Sequence, residues 1–81
     1  MAVKNIRDNM ERIRVRSSDL HSVGYDPTTN ELEVEFNTGS IYVYDNVPAS
    51  KYHQLMNPPG GSHGKYFARY IKKIYPYRRI R

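Results

Sequence analysis

Six consecutive residues, Gly60-Gly61-Ser62-His63-Gly64-Lys65, carry the densest chemistry in the chain. Ahead of a helix they would leave backbone N–H groups unpaired at its positive dipole end, where a phosphate is attracted. Glycines there let the anion approach the backbone. Ser62 and Lys65 add donors, so Gly61, Ser62, His63, Gly64 and Lys65 form a candidate anion site. The spacing is not that of a Walker loop, and a plainer account exists: Ser62 caps the helix, Gly61 turns the chain and Gly64 keeps the helix close to its neighbour. Further on, Lys65, Arg69, Lys72 and Lys73 recur at i, i+4, i+7 and i+8, which on a helix makes a basic ridge, and Arg78 and Arg79 follow it. These six bases are candidate phosphate contacts. Tyr42, Tyr44 and Tyr77 are candidate stacking platforms for unpaired bases.

Catalytic constellations are thin by comparison. His21, His53 and His63 lack compact metal-ligand spacing, and no cysteine is present to serve as a thiolate ligand, a nucleophile or a disulfide partner. The absence of cysteine fits a reducing compartment. Glu31, Glu33 and Glu35 alternate along one strand face, which reads as a solubilising surface before it reads as an acid/base pair. A serine hydrolase built on His63 would need a serine other than its neighbour and a pocket that a small core hardly offers. The expectation is a non-catalytic binding module with no metal site and no cofactor.

Charge is distributed in blocks along the 81 residues. Residues 1–16 hold five bases against two acids, residues 17–50 hold six acids and no base, and residues 51–81 hold eight bases and no acid. Such asymmetry is the footprint of a polyanion contact, or of opposite faces held together within one chain or between two copies. No apolar run approaches the ~20 residues of a membrane span, and Met1-Ala2-Val3-Lys4 is not the start of a signal peptide, so a cytoplasmic protein without a membrane partner is expected.

The elements that must position these residues follow from periodicity. A strand is expected over 20–25, closed by the turn chemistry of Asp26-Pro27-Thr28-Thr29-Asn30. Residues 31–36 alternate strictly, with Leu32, Val34 and Phe36 on one face and the three glutamates on the other. Past Asn37-Thr38-Gly39 the alternation resumes over 40–45, and turning Ile41 and Val43 inward places Tyr42 and Tyr44 beside the glutamates. After Val47-Pro48 the spacing of Tyr52, Leu55 and Met56 predicts a short helix, which Asn57-Pro58-Pro59 breaks. A second helix starts at Ser62, with Tyr66, Phe67, Tyr70, Ile71 and Ile74 as its apolar stripe, and Pro76 stops it. The expected class is α+β: a three- to four-stranded antiparallel meander sheet followed by two helices packed on one face. Residues 1–11 are read as a flexible N-terminal arm, 12–16 as an edge strand with its arginines outward, 12–76 as a single domain and 77–81 as a basic C-terminal tail. A chain this short buries only roughly 60% of its surface.

Val15-Arg16-Ser17-Ser18, Val23-Gly24-Tyr25-Asp26, Leu32-Glu33-Val34-Glu35-Phe36, Gly39, Tyr42-Val43-Tyr44, Val47-Pro48 and Ser62-His63-Gly64-Lys65-Tyr66-Phe67 together resemble the KTSC domain. That family is named for the C-terminal region of some lysyl-tRNA synthetases, and it also occurs as free-standing small proteins of bacteria and phages. The resemblance covers roughly residues 15–75 and implies an RNA-binding role, in a phage or prophage setting among others. The leading expectation is a module for RNA or other nucleic acid, bound through the basic helix and tail. One alternative is an oligomeric small-nucleotide binder or sponge, a homo-oligomer with its pocket at the Gly-rich turn. Another is a protein-interaction module whose partner is a host protein.

Overall fold

The structure, a computed structural model, describes residues 10–81. Of the expected arm over 1–11, all but the last two residues lie outside the described residues. Five strands form one antiparallel sheet in sequence order: β1 (Ile13–Arg14), β2 (Leu20–Asp26), β3 (Glu31–Phe36), β4 (Ile41–Tyr44) and β5 (Tyr77–Arg79). Between β4 and β5 lie α1 (Ala49–Met56), a 3₁₀ turn (Pro59–Gly61) and α2 (His63–Tyr70). The class is the expected α+β arrangement of a meander followed by two helices.

Turn chemistry sets the register. Asp26 accepts hydrogen bonds from the backbone N–H and hydroxyl of Thr28, and Asn30 takes φ 62°, so the chain reverses and pairs Asp26 with Glu31. Gly39 at φ 96° closes the second hairpin. Partners across the ladder share a face, so Val23, Tyr25, Leu32 and Val34 look toward the helices. There Leu20, Val23, Leu32 and Val34 pack with Leu55 of α1 and with Tyr66 and Phe67 of α2.

Three expectations need correction. Tyr42 pairs with Val34 and Tyr44 with Leu32, which puts both tyrosines on the helix face and Ile41 and Val43 on the face of the glutamates. All four residues are apolar enough for either side, and Phe67, edge-on to Tyr44 at 5.4 Å, fits a ring better than an aliphatic chain. Within the segment expected as a basic tail, residues 77–79 form strand β5, paired to β4 through Tyr44 with Tyr77 and Tyr42 with Arg79. The second helix ends at Tyr70, because the N–H groups of Ile71 and Lys72 both reach the Phe67 carbonyl and the winding loosens there. Ile71 remains buried, whereas Ile74 is exposed.

The sheet's second face explains part of the charge pattern. Glu33, only 1% exposed, is ion-paired with Arg12, whose guanidinium also donates to Ser22 and lies 3.7 Å from Glu35. At the other end of the face Arg78 forks between Glu31 and Asp45 at 2.7 Å each, and Arg81 reaches Glu35 at 3.1 Å. The acidic strand face is thus answered by arginines from both flanks of the same chain.

Candidate functional site

Beside β4 the sheet and the turn after α2 leave a groove of about 960 Å³. Its aromatic wall comes from Phe36, Tyr42, Tyr44, Tyr75 and Tyr77, with the Tyr77 ring 5.5 Å from both Tyr42 and Tyr44. Lys72 and Lys73 line it as well, together with the polar groups of Ser18, Asp19 and Asn37. Among the described residues neither lysine is in an ion pair. The three tyrosines singled out by sequence are brought together, but not as equals. Tyr77 is 58% exposed and Tyr42 half-buried, so both offer ring surface, while Tyr44 is 3% exposed and belongs to the core. Burial, and then the neighbouring Tyr42 and Tyr77, push the Tyr44 hydroxyl up to about 12. Tyr44 is therefore the floor of the wall and not a free platform.

The six candidate phosphate contacts do not form one ridge. Because α2 stops at Tyr70, Lys72 and Lys73 sit on the following turn and face the groove, whereas Lys65 and Arg69 line a separate notch beside α1. Arg78 is committed to Asp45 and Glu31, whose hydrogen bonds raise its already high pKa further. The Nε of Arg79 donates to the Arg81 carbonyl.

The Gly-rich turn is occupied from within. Ser62 caps α2 by accepting from the Lys65 N–H at 3.1 Å. His63 Nδ1 lies 2.8 Å from the Leu55 carbonyl, tying the turn back to the last turn of α1. A Cβ on Gly64 would stand 3.2 Å from the Ser17 hydroxyl and 3.5 Å from the Asp19 carboxylate, so the helix starts against a loop that already supplies a negative charge. Gly60 and Gly61 hold φ near 82° and 83°, which glycine alone adopts cheaply. Each of Gly61, Ser62, His63 and Gly64 thus has a task in the fold, and Lys65 points its chemistry toward the notch.

Sequence reasoning passed over Asp19, Asn37, Lys51 and Tyr75. Asn37 was legible only as a turn residue, yet its amide donates to the Ser17 and Ser18 carbonyls and fixes the loop against α2. Lys51 and Tyr75 belong to no sequence motif, and only the packing of α1 and of the post-α2 turn gives them neighbours.

Residues 16–75 match the family model of the KTSC domain. The chain belongs to the KTSC domain family. A KTSC domain protein of Yersinia pestis, known from its crystal structure, superposes with a TM-score of 0.83 at 35% identity, covering 89% of this chain and 99% of that one. An uncharacterized protein of Stutzerimonas stutzeri is 40% identical over 72 residues, 88% of this chain and 99% of its own length. A lysine-tRNA ligase of Nostoc sp. is 37% identical over 68 residues, 84% of this chain. The match spans only 12% of that ligase's length. The residues that carried the family resemblance have structural work here: Ser62 caps, Gly64 admits the Ser17 loop, Tyr66 donates to Gln54 at 2.5 Å, and Phe67 fills the KTSC core. Among the described residues no helix is long and apolar enough to cross a membrane, and no cluster of side chains is suited to a metal ion.

Proposed function

We propose that this KTSC domain is a non-catalytic binding module for single-stranded RNA, acting in the cytoplasm, with unpaired bases stacked in the groove and their phosphates met by Lys72 and Lys73. The observation that carries the reading is the conjunction of exposed ring surface from Tyr77 and Tyr42 with two lysines that are in no ion pair among the described residues, in one groove of about 960 Å³. That volume lies at the upper end of the roughly 300–1,000 Å³ of ligand sites. Stacking on an aromatic side chain contributes about 1–3 kcal/mol per base, and lysines add a sequence-independent term that depends on salt. The relatives lend support, since some proteins carrying a similar segment are ligases that join lysine to a tRNA.

Fluorescence anisotropy of a labelled oligouridine at increasing NaCl tests this. Affinity should fall steeply with salt. Lys72→Glu with Lys73→Glu should weaken binding and lower the slope of log K against log salt by roughly 1.4, at about 0.7 for each phosphate no longer neutralised. Both lysines are exposed on a turn, so the circular dichroism of the double variant should match that of the parent. A salt-independent affinity, or a folded double variant that binds as the parent does, overturns the proposal.

A further inference from the structure

On the flank of α2 away from the groove, α1 and α2 enclose a smaller notch of about 340 Å³, lined by Gln54, Lys65, Tyr66, Arg69 and Tyr70. The Tyr66 and Tyr70 rings lie 4.7 Å apart and fix one another. Tyr70 in turn holds two cations: Lys51 Nζ stands 5.1 Å and the Arg69 guanidinium 5.6 Å from the same ring centroid. Like charges placed on one ring repel, and each gains only about 0.5–1 kcal/mol from a cation–π contact at an exposed site. Ordinarily a protein relieves such a cluster with a carboxylate. None is present: residues 51–81 contain no acid, and among the described residues Lys51, Lys65 and Arg69 are in no ion pair, although the same chain pairs Arg12, Arg78 and Arg81 with its glutamates. The Gln54 carbonyl oxygen accepts from the Tyr66 hydroxyl, and the donors that face the notch come from Lys65 and Arg69.

We infer that this notch is a second ligand site, one that takes a phosphomonoester group. Lys65 and Arg69, which line the notch, and Lys51, beside it over the Tyr70 ring, supply the charge, and Arg69 supplies a planar fork of donors that matches two phosphate oxygens. A monoester carries about −1.5 to −2 charges near pH 7, against −1 for the phosphodiester of a strand interior, so three uncompensated cations favour a terminal phosphate. The site lies on a different flank of α2 and uses none of the groove's residues.

Two-dimensional NMR of the full chain tests the assignment with inorganic phosphate, uridine 5′-monophosphate and uridine as probes. Inorganic phosphate should shift resonances of Lys51, Lys65, Arg69 and Tyr70 without moving those of Lys72, the monophosphate should shift the same four whatever it also does at the groove, and uridine should leave the four unmoved. Lys51→Gln with Arg69→Gln, both outside the core, should abolish the shifts. If phosphate and the monophosphate at saturating concentration leave the four residues unmoved, or if inorganic phosphate binds the double variant as it binds the parent, the notch is a solvated basic face and the inference fails. The source of the phosphate is read from oligouridines with a 5′-phosphate or a 5′-hydroxyl. A gain of about tenfold from the phosphate, absent in the double variant, assigns the site to a strand end. Tighter binding of the mononucleotide than of either oligomer assigns it to a free nucleotide. Tyr77→Ala, which disables the groove, should leave the response to inorganic phosphate intact, so failure of one site is separable from failure of the other.

Discussion

A Cβ added to Gly24 would lie 2.6 Å from the Glu11 carbonyl oxygen and 3.1 Å from the Arg12 Cγ, closer than packed atoms allow. Glycine at this place on β2 lets residues 10–12 cross the second face of the sheet, and that crossing delivers Arg12 to the buried Glu33. A carboxylate removed from water without its partner costs several kcal/mol, so displacing the segment does more harm than the methyl itself. Gly24→Ala is expected to lower stability by about 2–4 kcal/mol in urea unfolding, whereas Gly64→Ala, whose contact with the Ser17 hydroxyl at 3.2 Å is offset by the better helix propensity of alanine, should change it by no more than about 1 kcal/mol. Equal losses would show that the crossing segment contributes nothing. Tyr44 gives the same scale a pH signature. Its hydroxyl is pushed from 10.0 to about 12 in the folded protein, so between those values the native state keeps a proton that the unfolded chain releases. The stabilising contribution is complete below pH 10 and is lost as pH rises through about 12. The melting temperature should therefore fall across that window, and Tyr44→Phe, which has no hydroxyl to ionise, should flatten the fall.

Strand β5 has little apolar support: Tyr77, Arg78 and Arg79 are all exposed. It is held by the ladder to β4, by hydrogen bonds between Ile41 and residues 80 and 81, and by the Arg78 fork to Asp45 and Glu31. Exposed ion pairs contribute about 0–1 kcal/mol, so Arg78→Ala should hardly change global stability. It should, however, raise the amide exchange of Ile80 by several-fold while leaving Val34 protected, since β5 can open without the core. Protection of Ile80 unchanged from the parent would mean that the ladder alone holds the strand. The same weakness explains why β5 was not legible in the sequence. Tyr77-Arg78-Arg79 offers three residues of alternation and no apolar one beyond Tyr77, and its pairing depends on an acidic face more than thirty positions away. Strands β2, β3 and β4 were legible because alternation and turn residues act locally, and so were the start of α1 and the Ser62 cap. The inverted phase of β4 was not, because Ile41, Val43, Tyr42 and Tyr44 are interchangeable by hydropathy and only the register through Gly39 decides between them. The candidate site was half legible for the same reason. Residue types pointed to bases and tyrosines, but the end of α2 at Tyr70 determined which lysines share a groove with which rings.

At the scale of the molecule, acidic and basic blocks that looked like a dipole in sequence are largely folded onto one another on the second sheet face. Among the described residues, the bases in no ion pair include Lys72 and Lys73 at the groove, Lys65 and Arg69 at the notch and Lys51 beside it over the Tyr70 ring, with Arg14 and Arg16 on the β1 side. The five bases around the helices would attract a polyanion, and charge alone would draw a duplex there as readily as a single strand. Stacking separates the two. Tyr77 and Tyr42 present rings inside a groove, and a base can reach them only when it is free of its own stack and its own pairing partner. Extracting a base from a duplex costs a few kcal/mol, comparable with the roughly 1–3 kcal/mol that each aromatic contact returns, so a duplex should be held by its phosphates alone. At equal phosphate number and moderate salt, a single-stranded oligouridine should bind at least about tenfold more tightly than an RNA duplex. Raising the salt should widen the ratio, because the electrostatic share common to both shrinks while stacking persists. In Tyr77→Ala the ratio should collapse toward unity with the duplex affinity unchanged. A duplex that competes on equal terms with the single strand would show that the aromatic wall takes no part in binding and that the lysines act as an unselective basic surface.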